Sequence, residues 1–135
     1  MIIGVGTDLV DVRRIEKSVE RFGKAFCDRI YTPAEQAVCD ARAGKRRLSA
    51  YAARFAAKEA CSKALGTGLR QGVSWRDMEN AGLPTGQPAM RLMGGALKRL
   101  RDLTPAGHIA KIDVSLTDEY PYASAFVVIS AQTKG

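Results

Sequence analysis

Two acids in the chain have surroundings that could give them chemistry. Asp8 ends the apolar run that begins Met1-Ile2-Ile3, and Glu59 sits where a helical projection of Ser49 to Leu65 puts it on one face with Ala52, Phe55, Ala56 and Lys63. That face is expected to be the buried one. A carboxylate among Ala and Phe is costly to ionise unless a cation or a metal ion answers it. Two readings of Glu59 follow. It is half of an ordinary i,i+4 pair with Lys63, worth about 0.2 to 0.5 kcal/mol, or it joins Asp8 in a Mg²⁺-bound phosphate site, which needs few carboxylates, several waters and phosphate oxygens. Asp8 has its own structural alternative, as a helix cap just ahead of Asp11.

The rest of the inventory narrows the chemistry. His108 is the only histidine, which removes any multi-histidine metal site; beside Gly107 it reads as a turn residue. No HExxH, Walker A or EF-hand pattern is present. Gly4-x-Gly6 lacks the third glycine of a dinucleotide fingerprint, and Gly66-Thr67-Gly68 is no stronger by itself. Cys27, Cys39 and Cys61 are odd in number and form no CxxC pair, so reduced thiols and a cytoplasmic setting are expected.

A chain of 135 residues with 46% hydrophobic and 26% charged residues predicts one globular domain spanning 1–135. No apolar run approaches the roughly 18 to 20 residues of a bilayer span, and the first apolar stretch has no basic lead-in; a soluble, unexported protein without membrane partners is expected. The formal charge is +7, and residues 31 to 70 hold eight bases against Glu35, Asp40 and Glu59, which places five of the seven excess charges there. An acidic partner is implied: nucleic acid, a phosphorylated small molecule or an acidic protein surface.

These residues need elements to position them. Met1 to Val10 reads as a buried strand in which Gly4 and Gly6 allow close backbone approach. From Asp11 a helix carries Val12, Ile15, Val19 and Phe22 on one side and Arg14, Lys17, Arg21 and Lys24 on the other. Thr32-Pro33-Ala34-Glu35 is a capping box for a short helix to about Ala43, ended by Gly44. Lys45-Arg46-Arg47 reads as a basic loop, and Ser49 as the cap of a long helix through Leu65 that Gly66-Thr67-Gly68 terminates. Val73 to Glu79 is predicted as a strand, Leu83 to Pro88 as a tight turn before Ala89 to Leu92, and Leu92 to Leu103 as helical. Strands from Ile109 to Leu116 and Ala123 to Ile129 complete an α+β order, an antiparallel sheet packed against a long central helix.

Two blocks carry a resemblance. Ile3-Gly4-Val5-Gly6-Thr7-Asp8-Leu9-Val10 with Arg13-Arg14-Ile15-Glu16, and Arg54-Phe55-Ala56-Ala57-Lys58-Glu59-Ala60-Cys61-Ser62-Lys63-Ala64-Leu65-Gly66-Thr67-Gly68, together resemble the holo-[acyl-carrier-protein] synthases, the small bacterial 4′-phosphopantetheinyl transferases of fatty-acid synthesis. Phe26 to Glu35 is similar to the family's Phe…Thr-x-x-Glu segment, Gly86-Gln87-Pro88 to its Gly-Lys-Pro turn, and Val114 to Thr117 with Tyr122 to Val128 to its last strands. One position departs: Asp118 stands where many members carry His, so Asp118 replaces that role, supports the metal, or does neither.

The resemblance implies transfer of phosphopantetheine from coenzyme A to a serine of apo acyl carrier protein, releasing adenosine 3′,5′-bisphosphate. It implies Asp8 and Glu59 as Mg²⁺ ligands on the pyrophosphate and Lys63 as the group stabilising the leaving phosphate. Glu59 is by the same resemblance the base for the serine proton, directly or through a metal-bound water. Lys45, Arg46, Arg47 and Arg54 are then expected at the CoA 3′-phosphate, with Gly66 and Gly68 bringing backbone N–H groups to phosphate oxygens. Arg14, Lys17, Arg21 and Lys24 would meet the acidic carrier protein, with a plain solvent-facing stripe as the alternative. The family also implies a homotrimer whose active sites are shared between neighbours.

Two other readings compete. A nucleic-acid-binding module accounts for the pI of about 9.6 but not for Asp8 and Glu59, and with 7% aromatic residues stacking platforms are poorly supplied. A non-catalytic carrier-protein binder on the same fold rests only on Asp118.

Overall fold

Alternating small and β-branched residues near the two ends of the chain build one antiparallel sheet. In the computed structural model, which describes Met1–Gly135, β1 (Ile2–Asp11) pairs with β5 (Tyr122–Thr133), and β5 with β4 (His108–Glu119). On β5, Ala123, Ala125, Val127, Ile129 and Ala131 are buried, while Tyr122 and Phe126 point the other way and are about half exposed. The period of two thus separates a packed face from an open one.

The packed face lies against α4 (Gly44–Ala64), whose Ala50, Ala53, Ala57, Ala60 and Ala64 are all buried. Small side chains on both partners let helix and sheet approach closely. A helix buried nearly all round is a central element rather than a surface one. Around it stand α1 (Val12–Phe22), α2 (Lys24–Ile30), α3 (Pro33–Asp40), α5 (Gly94–Leu103) and a two-stranded ribbon of β2 (Met78–Gly82) and β3 (Pro88–Leu92). The turn closes as expected, with Leu83 N–H donating to Gln87 O at 2.9 Å and Gly86 N–H to Leu83 O at 2.8 Å. No helix is long and apolar enough to cross a membrane.

The α+β architecture is the one expected, with several corrected boundaries. Gly44 does not end a helix: it begins α4, so Lys45, Arg46 and Arg47 are first-turn helical residues rather than a loop, and Ser49 lies inside the helix. Ala43 offers no side-chain cap there, so the start carried none of the usual signal. The first helix stops at Phe22, because Gly23 takes φ 55°, and the separate helix α2 follows. The stretch expected as a strand from Val73 is a 3₁₀ turn at Trp75–Asp77, and β2 begins only at Met78. Leu92 ends β3 instead of opening α5, and α3 stops at Asp40.

Candidate active site

Glycine brings the two acids together. A Cβ at Gly6 would run into the Ala60 carbonyl oxygen and lie 2.8 Å from Ala64 N, and one at Gly4 would overlap the Ala64 carbonyl. Only residues without a Cβ let β1 rest directly on the last turns of α4. Two residues beyond Gly6, Asp8 lies opposite Ala125 of β5 with its side chain 17% exposed. Lys63 of α4 donates from Nζ to Asp8 Oδ1 at 3.2 Å and to the Thr7 carbonyl at 2.9 Å.

Glu59 sits one turn before Lys63 and is half-buried. The helix face that holds it is closed at Ala52, Phe55 and Ala56 and opens at Lys63, which is exposed. Lys63 pairs with Asp8, not with Glu59, so the simple i,i+4 pair is not formed. The cap alternative for Asp8 also falls: Asp11 caps α1, accepting from Arg13 N–H at 2.9 Å. Burial, and then the Asp8 charge, push the Glu59 carboxyl above the ordinary glutamate value, while Lys63 and Arg14 pull it back. Arg14 reaches this region from α1, its guanidinium 5.8 Å from the Phe55 ring centre.

The two carboxylates repel each other, and the one lysine beside them is paired with Asp8 alone, an imbalance that a divalent cation would relieve. No group of three or more His, Cys, Asp or Glu is gathered anywhere, which excludes an all-protein cage. The pair does suit Mg²⁺, which typically uses one or two carboxylates, keeps waters and takes substrate phosphate oxygens.

The expected cations divide among separate places. Arg14, Lys17 and Arg21 share a shallow basic depression with Phe22. Lys24 does not belong to that row: beyond the Gly23 break it lies on α2 and pairs with Asp28 at 2.9 Å. Lys45 and Arg46 line a hollow with Arg42, Ser49 and Asp118. Arg47 turns away from it, pairing with Asp40 at 2.8 Å beside the Tyr51 ring. Arg54, which donates to the Ala50 carbonyl at 3.2 Å, lines an adjoining hollow that also includes Asp118.

Gly66 and Gly68 require correction. Gly66 N–H donates to Lys63 O at 3.0 Å and Gly68 N–H to Ser62 O at 3.1 Å, so both amides close the end of α4 and neither is free for a phosphate. Their positive φ values, 80° and 61°, serve that closure. Arg99 of α5 holds the same turn, donating from Nε to Leu65 O at 2.8 Å.

A buried network went unseen in the sequence. Lys58, 0% exposed, donates to Glu35 Oε1 at 2.7 Å and to the carbonyls of Trp75 and Met78 at 2.9 and 2.7 Å. Glu35 accepts from Thr32 N–H at 2.9 Å, closing the expected capping box, and from the Asn80 amide N–H and side chain at 2.9 and 2.7 Å. Every hydrogen-bonding group of the pair is answered, as an ion pair cut off from water requires. Burial pushes the Lys58 ammonium below the ordinary lysine value and Glu35 pulls it back. The network ties α3 and β2 to α4 one turn from Arg54. The one trace in the sequence was a glutamate three residues after a capping threonine, which predicts the cap but not the lysine. The cysteines take no part: all three are buried and free, and burial pushes Cys39 up to about 11 and Cys61 up to about 12.

An α+β fold that sets two carboxylates and a lysine at a strand–helix junction, with Arg14 of α1 acting on the same group, is suited to handling phosphate groups. The family model for ACPS, the 4′-phosphopantetheinyl transferase superfamily, matches residues 4–123, and the chain belongs to that family. Among its relatives it is similar to the holo-[acyl-carrier-protein] synthase of Methylobacterium sp. (strain 4-46), 61% identical over 131 residues, 97% of this chain and 96% of the relative. It is also similar to that of Rhodopseudomonas palustris (strain BisA53), 56% identical over 137 residues, 100% of this chain and 99% of the relative. Among solved structures, the holo-[acyl-carrier-protein] synthase of Neisseria meningitidis has a TM-score of 0.83 at 36% identity, covering 96% of this chain and 99% of that one. The Bacillus anthracis synthase in complex with CoA (3′,5′-ADP) has a TM-score of 0.75 at 34% identity, covering 96% of each chain.

Proposed function

We propose that this protein transfers 4′-phosphopantetheine from coenzyme A to a serine hydroxyl of apo acyl carrier protein, releasing adenosine 3′,5′-bisphosphate for fatty-acid synthesis in the cytoplasm. The observation that carries this reading is the junction of β1 and α4, where Asp8, Glu59 and Lys63 meet. The full-length likeness to holo-[acyl-carrier-protein] synthases supports it, as does the CoA ligand of a similar structure. All of residues 1–135 are read as one phosphopantetheinyl transferase domain.

Asp8 and Glu59 would hold Mg²⁺, whose chemistry there is to neutralise charge on the pyrophosphate during attack. Glu59 takes the proton as the serine oxygen bonds to the phosphorus bearing pantetheine. The bond from that phosphorus to the bridging oxygen breaks, and the electron pair leaves on the nucleotide phosphate. The Lys63 ammonium, held by Asp8 and the Thr7 carbonyl, stabilises the charge of that leaving group. Lys45, Arg46 and Arg54 receive the nucleotide end of CoA, while Arg47 is committed to Asp40. Arg14, Lys17 and Arg21 face the acidic carrier.

The open face of the sheet supports assembly. Val5, Leu9, Tyr122 and Phe126 expose 50%, 67%, 48% and 47% of their surfaces there, a patch of the kind that marks a protein interface. Further copies of this chain cover it in a homotrimer. The function is tested by incubating the protein with CoA, Mg²⁺ and an apo carrier and weighing the carrier. A metal-dependent gain of one phosphopantetheine, about 340 Da, is expected. No gain with several apo carriers that the folded protein still binds would reject the transferase and favour a docking protein.

A further inference from the structure

Trp75 is the only tryptophan of the chain, and nothing in the transfer chemistry uses it. It opens the 3₁₀ turn Trp75–Asp77 that precedes β2. That turn is held from two sides. From α4, the buried Lys58 ammonium donates to the Trp75 and Met78 carbonyls at 2.9 and 2.7 Å, and Lys58 is itself fixed by Glu35. From the start of α5, Met93 N–H donates to the Asp77 carbonyl at 2.8 Å and Gly95 N–H to the Asp77 carboxylate at 3.2 Å. A buried charge with every bond answered makes its surroundings rigid, so the turn presents the half-buried indole in one place. There it stacks on Phe55, with ring centres 4.9 Å apart and planes 30° apart.

Phe55 carries this arrangement to the cationic row of α1. It is itself buried, and its ring lies under the Arg14 guanidinium at 5.8 Å, within the range of a cation–π contact. Glu59 stands one turn further along α4, and of the row Arg14, Lys17 and Arg21 it is Arg14 whose charge reaches it. Arg21 rests on the ring of Phe22, its own neighbour in the chain, whereas Arg14 depends on a ring from another helix. Arg14 is exposed and forms no ion pair within the chain. An unseated arginine samples many rotamers, and ordering it takes back part of what a partner's carboxylate returns.

We propose that Trp75 is a positioning residue for carrier docking: stacked on Phe55, it fixes the ring over which the Arg14 guanidinium lies, and the Lys58–Glu35 pair holds it there through the backbone of the turn. The inference rests on the reading that Arg14 meets an acidic carrier, and it concerns a residue that reading did not use. Trp75 acts through Arg14, not by touching the carrier. Leucine at this position keeps apolar cover over Phe55 but loses the flat face that stacking needs; phenylalanine keeps both.

The test measures the affinity of an apo acyl carrier protein for the unaltered chain, Trp75→Leu and Trp75→Phe by titration calorimetry, with folding established by circular dichroism. Trp75→Leu is expected to weaken the carrier about three- to fivefold, the loss of one seated cation. Trp75→Phe should bind within about 1.5-fold of the unaltered chain. A merely structural loss would not depend on Arg14, so a double-mutant cycle decides. In an Arg14→Gln background Trp75→Leu should change the affinity by about 1.5-fold at most, and in a Lys17→Gln background it should keep its full effect. In turnover, KM for the carrier should rise with Trp75→Leu while KM for CoA stays within about 1.5-fold. Should Trp75→Leu fail to fold, Trp75→Met takes its place in the same cycle. An unchanged carrier affinity, an effect undiminished in Arg14→Gln, or failure of Trp75→Phe to restore binding would overturn the proposal. If the unaltered protein binds the carrier yet transfers nothing from CoA, the transferase reading fails while the binding cycle still decides this one.

Discussion

Gly6→Ala tests whether the contact of β1 with α4 creates the active centre. The added methyl would collide with the Ala60 carbonyl oxygen and stand 2.8 Å from both the Ala60 carbonyl carbon and Ala64 N, where ordinary contact begins near 3.4 Å. These are backbone atoms in the last turns of a buried helix, so the strand must yield, by on the order of 1 Å. Overpacking of this kind costs about 1 to 3 kcal/mol, less than the roughly 5 to 15 kcal/mol that holds a typical domain folded. The protein should therefore fold and melt earlier. Asp8, two residues along the same strand, moves with it away from Glu59 and Lys63, and a misplacement of about 1 Å can lower a rate about 10²-fold. Far-ultraviolet circular dichroism establishes folding, and transfer to the carrier measured by mass gives turnover. A folded Gly6→Ala protein with turnover within about threefold of the unaltered chain would refute the reasoning.

Other expectations follow from the same geometry. Glu59→Gln should raise the melting temperature of the metal-free protein at neutral pH: a carboxyl whose folded value is raised by burial and Asp8 contributes stability below its ordinary value and loses it as pH rises through the folded one. Glutamine removes that loss, and a lower melting point at neutral pH would contradict it. Lys58→Met leaves the buried Glu35 side chain with no cation, so denaturant unfolding should report a loss of about 3 to 5 kcal/mol; a loss under about 1 kcal/mol would make the pair incidental. Reversing Arg14 and Arg21 together to Glu should raise KM for the carrier about tenfold or more. Lys24→Glu, at a residue already paired with Asp28, should change it about twofold at most, and an equal effect would restore Lys24 to the docking row.

The parts of this account that were legible are those that follow from local pattern. Alternation marked β1, β4 and β5, and the Ala-rich spacing of Ser49 to Leu65 marked most of α4. Asp8 and Glu59 stood out because acids in apolar surroundings need a reason. The start of α4 was hidden because Ala43 and Gly44 give no capping signal while Ser49, five residues in, does. A single glycine at φ 55° ended α1 and broke the apparent four-cation row, since periodicity counts residues and cannot sense a break in the backbone. Lys58 looked like one more surface base, yet it is the most deeply enclosed charge in the chain; its partner Glu35 lies on another helix, and only tertiary structure joins them. Gly66 and Gly68 misled for a related reason: glycines frequent both phosphate loops and helix ends, and the bonds to Lys63 and Ser62 that choose between these roles are invisible in sequence.

The central claim is that Glu59, beside Asp8 and Lys63, carries the transfer. The most direct measurement is single-turnover transfer by Glu59→Gln, with CoA, Mg²⁺ and apo carrier all bound and the carrier weighed over time. The account predicts a folded protein that binds both substrates and adds phosphopantetheine at least about 10²-fold more slowly than the unaltered chain, the contribution expected of a positioned general base. Transfer by Glu59→Gln within about threefold of the unaltered rate would contradict it and remove Glu59 from the chemistry.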